Sequence, residues 1–181
     1  MKKNVLVIAL FVSLVGFTQE SQEKNNDNQK NNEVKLNGLF LVAGAFEGTY
    51  ERILNEESGV GISLFLPFDD ITDINYYISP YYRFYFGKKY AKGFFLEGFG
   101  MLNSMQDTVI TEFDSFGNVI GRVEESSTDF ALGIGVGGKW VTKNGFIGEI
   151  NLGVGRNLFG SSDFDYNEYV GKLGITIGYR F

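Results

Sequence analysis

From Tyr169 to Phe181 the side chains alternate almost without interruption: Tyr169, Gly171, Leu173, Ile175, Ile177, Tyr179 and Phe181 on one face, Val170, Lys172, Gly174, Thr176, Gly178 and Arg180 on the other. Only a β-strand sends successive residues to opposite sides. The segment is longer than the five or six residues usual for a globular strand, and it ends on an aromatic of its apolar face. A strand of that length and pattern suits a closed barrel crossing a membrane.

The chain's beginning fits export. Lys2 and Lys3 precede an apolar run, Val5 to Phe17, that is too short for a helix to span a bilayer, so residues 1–18 read as a cleaved signal peptide. With no cysteine, neither lipid attachment at a new N-terminus nor a disulfide is open to it. Residues 19–33 contain no apolar side chain and read as a disordered polar leader; residues 34–181 form one domain. Loss of Lys2 and Lys3 with the signal takes the formal charge from −6 to −8, which disfavours nucleic acid as a partner. Mean hydropathy near zero is no argument against a barrel, whose apolar and polar residues alternate and cancel.

Period-two segments recur near 34–42, 45–54, 58–66, 75–87, 90–102, 128–142, 145–156 and 169–181, and no segment reads as an amphipathic helix. The fold class is therefore all-β, an eight-stranded antiparallel up-and-down transmembrane barrel. Connections after the second, fourth and sixth strands are short, and those after the third, fifth and seventh are long, so tight turns gather at one end and loops at the other. The short connection at 43–45, after the first strand, breaks this parity.

The glycine rows decide which face is inside. Phe130, Leu132, Ile134, Val136 and Trp140 oppose Ala131, Gly133, Gly135, Gly137 and Lys139; a soluble barrel would turn the glycines to water and gain nothing. Facing inward, they leave room for long charged side chains in a lumen only wide enough for side chains. The expected lumen network is Lys35, Arg83, Lys139, Lys172 and Arg180 against Glu47, Glu51, Glu97 and Glu149, nearly balanced, as a filled interior requires. Strand 90–102 is apolar on both faces; Glu97 is placed inward. Trp140, Tyr82, Phe86, Tyr179 and Phe181 fall near the tight-turn end, where aromatics favour a membrane interface.

On these features the chain resembles the small eight-stranded outer-membrane barrels typified by OmpX and the OmpA transmembrane domain. More narrowly, it resembles uncharacterised Gram-negative outer-membrane barrels with phrases like Val34-Lys35-Leu36-Asn37 and Tyr50-Glu51-Arg52 in their first two strands. The resemblance spans 34–181. It implies outer-membrane lipid and lipopolysaccharide as surroundings, a monomer, and Tyr179 and Phe181 as the terminal signal read by the barrel-assembly machinery. It implies no activity, because such folds carry adhesins, enzymes and structural proteins alike.

Chemistry is hard to find. The chain has no histidine, the side chain most used as a general base near neutral pH and on which the known outer-membrane barrel enzymes rely. No catalytic residue and no cofactor are assigned. The loop end is acidic: Asp69, Asp70 and Asp73, then Asp107, Glu112, Asp114, Glu124, Glu125 and Asp129, then Asp163, Asp165 and Glu168, with Arg122 the single cation among them. Of these, Asp69, Asp70, Asp73, Asp163 and Asp165 are weak divalent-cation candidates. Asp163, Asp165 and Asn167 imitate a calcium loop, but Glu168 stands in place of its glycine. Residues 103–127 read as a hairpin continuing strands five and six beyond the membrane, turning at Phe116 to Asn118. The functional expectation is a structural or surface-interaction role through the acidic loops. The alternatives are adhesion through the 103–127 hairpin and passage of small solutes.

Overall fold

The structure, a computed structural model, describes residues 30–69, 74–87, 89–113, 119–159 and 168–181. The expected signal peptide at 1–18, most of the expected leader, the expected turn at Phe116 to Asn118, and Asp70, Asp73, Asp163 and Asp165 lie outside those residues; of 107–113 and 119–125 the backbone is described. In order the elements are β1 (Asn32–Asn37), α1 (Gly38–Ala43), β2 (Ala45–Asn55), β3 (Ser58–Pro67), β4 (Ile74–Phe86), β5 (Gly93–Phe113), β6 (Val119–Val141), β7 (Phe146–Asn157) and β8 (Tyr169–Arg180). Each strand pairs antiparallel with its chain neighbours, and β1 with β8, closing an all-β, eight-stranded barrel. Closure leaves the wall without a free edge along the paired strands.

The alternation puts apolar side chains outward on every strand. Leu132, Ile134 and Val136 on β6, Ile150, Leu152 and Val154 on β7, and Leu173, Ile175 and Ile177 on β8 are all exposed, while Ala131, Lys139, Glu149 and Lys172 are buried. Strand β5 resolves in the same way. Phe94, Leu96 and Leu102 face out, and Phe95, Glu97, Phe99 and Met101 face in. Both its faces are apolar because the inner rings fill the space that the next strand leaves empty: Phe95 stands opposite Gly137 and Phe99 opposite Gly133. A Cβ at either glycine would collide with the facing ring, so this narrow lumen needs hydrogen there.

Two parts of the first hairpin differ from the sequence reading. Strand β1 starts at Asn32, so Asn32 and Glu33, placed in the polar leader, belong to the wall; Glu33 is fully buried. The strand also ends at Asn37 rather than continuing to 42, and Gly38–Ala43 forms α1. Asn37 caps the helix by accepting the Leu39 N–H, and Gly44, in the left-handed region at φ 101°, ends it. Strand β1 therefore pairs with β8 only as far as Thr176, although β8 begins at Tyr169. The remaining seam in the wall is covered by α1, which packs against β8 and β2. A helix satisfies most of its own backbone, so an apolar helix can stand where a strand is missing; Leu41 and Val42 on it are exposed. This also accounts for the parity break: the first loop-end connection is a helix.

Strands β5 and β6 run on together past the rest of the barrel. Their pairing continues from Met105–Ser127 to Phe113–Val119, whereas β4 leaves β5 at Met105 and β7 leaves β6 at Ala131. The outer hairpin is thus a two-stranded projection at the loop end.

Candidate functional site

The lumen holds every buried charge among the described residues: Glu33, Lys35, Glu47, Glu51, Arg83, Glu97, Lys139, Glu149, Lys172 and Arg180. Five cations meet five carboxylates. The nine charges expected from the sequence lie there, and Glu33 makes the tenth. It was missed because it sits among polar leader residues, yet the parity that puts Lys35 and Asn37 inward also puts Glu33 inward.

Nine of the ten form one chain of ion pairs. At the tight-turn end Arg180 Nε donates to Glu33 at 2.7 Å, and Glu33 accepts from Lys139 at 2.9 Å. Lys139 also bonds Glu51 at 2.9 Å. Glu51 is the hub: it accepts from Lys35 at 2.6 Å, Arg83 at 3.0 Å and Tyr81 at 2.9 Å, and from the Tyr85 hydroxyl. Glu149 receives the second bonds of Lys35 and Arg83, at 2.9 and 2.8 Å. Arg83 Nε continues to Glu97 at 2.6 Å, and Glu97 to Lys172 at 2.5 Å. Glu47 stands apart, bonded at 2.5 Å to Asn37 Nδ2 and also to Tyr77.

Charges come from seven strands, and β3 supplies the space. A Cβ at Gly59 would lie 2.8 Å from Glu51 Oε1, and one at Gly61 would strike the Tyr81 ring. Aromatic faces shield the cations: Arg83 lies 4.1 Å from the Phe95 centroid and 4.4 Å from that of Tyr81, and Lys139 lies 4.4 Å from that of Tyr85. Charges withdrawn from water are tolerable only when so paired and bonded.

Apolar plugs close both ends of this polar core. At the loop end Phe65 stacks on Tyr77 at 4.8 Å, Phe40 of α1 meets Phe65 edge-on at 5.2 Å, and Phe99 and Met101 complete the layer. At the turn end the β4–β5 connection folds under the mouth. Ala91, fully buried against Ile53, Tyr85 and Phe95, has φ 40°, and Arg180 donates to the carbonyls of Tyr90 and Ala91 at 3.2 and 2.7 Å. In the same connection burial, then Lys89 and Arg180, lowers the Lys92 pKa below the usual lysine range. The void bounded by Phe95, Glu97, Asn151 and Lys172 admits no water-sized sphere.

The other sequence candidates lie elsewhere. Asp69 is at the loop end, its N–H bonded to the Gly44 carbonyl at 3.1 Å. Asp70, Asp73, Asp163 and Asp165 fall outside the described residues, and no three potential metal ligands converge among the described ones. Tyr179 faces outward on β8 against Phe146, and Phe181 exchanges backbone bonds with Asn32 at 2.8 and 3.1 Å, so the last residue takes part in barrel closure.

No protein-family model and no curated protein matches the chain. Among solved structures, the N-terminal β-barrel domain of OprF from Pseudomonas aeruginosa is similar, with a TM-score of 0.54 over 84% of this chain and 98% of that domain, at 16% identity. The two share the fold. At that identity the likeness is one of architecture alone.

Proposed function

We propose that the chain is an integral outer-membrane barrel with a sealed interior, and that its role is structural or one of interaction at the cell surface through its acidic loops. The observation carrying this is the joint pattern of an apolar outer wall and a charged inner one, the reverse of a soluble barrel. Exposed aromatics near the tight-turn end, Trp140, Tyr82, Phe86, Tyr179 and Phe181, support placing that end at a membrane interface. The sequence's resemblance to small outer-membrane barrels supplies the membrane, the Gram-negative setting and lipopolysaccharide as a neighbour.

The packed ion-pair chain weighs against solute passage. It also weighs against carboxylate catalysis, because Glu51, Glu97 and Glu149 are each held by two or more cations. A second reading, adhesion, is favoured by one specific feature: the β5–β6 projection, whose outer strands lack further neighbours among the described residues.

A membrane-impermeant maleimide applied to intact cells tests the topology. A cysteine at Ser115, in the segment joining β5 to β6, is expected to react and one at Asn144, in a tight turn, to stay unlabelled. Labelling at Asn144 alone overturns the orientation, and recovery of the protein in the soluble fraction overturns the membrane assignment.

A further inference from the structure

The outer wall has one broad depression. It crosses β1, β2, β3 and β8 and reaches β4 and β7, measures about 1150 Å3, and is walled by Val34, Leu36, Phe46, Ile62, Leu64 and Ile177. Within it Gly48 faces outward opposite Leu36, and the Phe46 ring lies over that glycine.

Cations stand over the turn-end rim of this depression. Tyr50 and Tyr179 flank Val34 there, paired with it from either side. The Tyr50 hydroxyl donates to Asn32 Oδ1 at 2.8 Å, and Arg52 Nη1 donates to the same oxygen at 3.3 Å. Lys30 Nζ lies 3.5 Å from the Tyr179 hydroxyl and 5.3 Å from its ring centroid. Among the described residues neither Arg52 nor Lys30 has a carboxylate partner. A smaller depression at the opposite end, walled by Leu132, Ile134, Val154 and Tyr169, has Arg156 on its rim, but Glu168 neutralises that arginine. Among the described residues the turn-end rim of an acidic protein thus presents two cations without a carboxylate partner above an apolar trough.

We propose that this sector of the wall binds an anionic glycerophospholipid, its phosphate between Lys30 and Arg52 and its acyl chains along Val34, Leu36, Ile62 and Ile177. A guanidinium and an ammonium supply donors that match phosphate oxygens, and each basic residue near a membrane surface strengthens anionic-lipid binding about fivefold. The site rests on the membrane reading above, which makes the turn end periplasmic and the lipid one of the periplasmic leaflet.

The test is native mass spectrometry of the full chain, folded in vesicles of dioleoylphosphatidylglycerol and dioleoylphosphatidylcholine in equal parts and released into mild detergent. Phosphatidylglycerol is expected to be retained in preference. The Lys30→Gln/Arg52→Gln double variant should lose roughly 25-fold of that preference, about fivefold for each cation, and Lys92→Gln/Lys143→Gln should keep it. Equal retention of the two lipids, or a preference that survives loss of Lys30 and Arg52, overturns the site alone. A chain that never enters the vesicles overturns the membrane reading and the site with it.

Discussion

Glu33 on β1 and Lys139 on β6 are bonded at 2.9 Å across the lumen. The pair joins the first strand to the far wall, and through Arg180 to the last strand as well. It makes barrel closure and interior charge pairing parts of one arrangement.

A chain begun at Val34 would lack this carboxylate and the Asn32–Phe181 backbone bonds. Compared with a chain begun at Lys30, it should lose about 3–5 kcal/mol, the usual effect of leaving a buried charge without its partner. Urea unfolding in detergent, followed by the shift in gel mobility on heating, measures the difference.

Glu51 has three cations and two tyrosine hydroxyls on one carboxylate. Glu51→Gln should destabilise the barrel by about 3–5 kcal/mol, because Lys35, Arg83 and Lys139 would share less negative charge in a dry interior. Glu168→Gln, which removes the partner of the exposed Arg156, should change the same unfolding free energy by less than about 1 kcal/mol.

An inner glycine packed against a ring should be intolerant where an outer glycine with open space beside it is not. At Gly137 a Cβ would meet the Phe95 ring and the Ile150 carbonyl, and at Gly98 it would meet nothing within 4 Å. Gly137→Ala is therefore expected to cost about 1–3 kcal/mol by overpacking, and Gly98→Ala almost nothing. Parallel unfolding curves distinguish the two.

Asn37 ends β1, caps α1 and closes the seam beside it. Its Nδ2 reaches Glu47 at 2.5 Å and the Leu173 carbonyl at 3.0 Å, and its Oδ1 accepts the N–H groups of Leu39 and Ile175 at 3.1 and 3.3 Å. Asn37→Ala should cost at least about 2 kcal/mol, combining a lost cap with unsatisfied backbone. Hydrogen exchange should accelerate at the Leu39 and Ile175 amides first; unchanged exchange there would contradict the role given to this side chain.

The wall was legible in the sequence wherever a residue's neighbours two positions away shared its character, as along β6, β7 and β8. It was illegible where that local contrast failed. Val34 to Val42 keeps a strand-like alternation through Gly38 and Phe40, yet the strand stops at Asn37, because a side chain that bonds both α1 and the edge of β8 offers the backbone another course. Glu33 was hidden by polar neighbours, although its parity matches Lys35. Strand β5 became readable only through its partner, since Phe95 and Phe99 are inward for want of side chains at Gly137 and Gly133. The ion pairs themselves join residues as far apart as Glu33 and Arg180, and no pattern along the chain gives such a pairing.

The sealed lumen is tested most directly by the conductance of the folded full-length chain in a planar lipid bilayer. No steady current above that of the bare membrane is expected, because the ion-pair chain and the aromatic layers around Phe65 and Phe95 fill the bore. A stable ohmic current from single inserted barrels would contradict it.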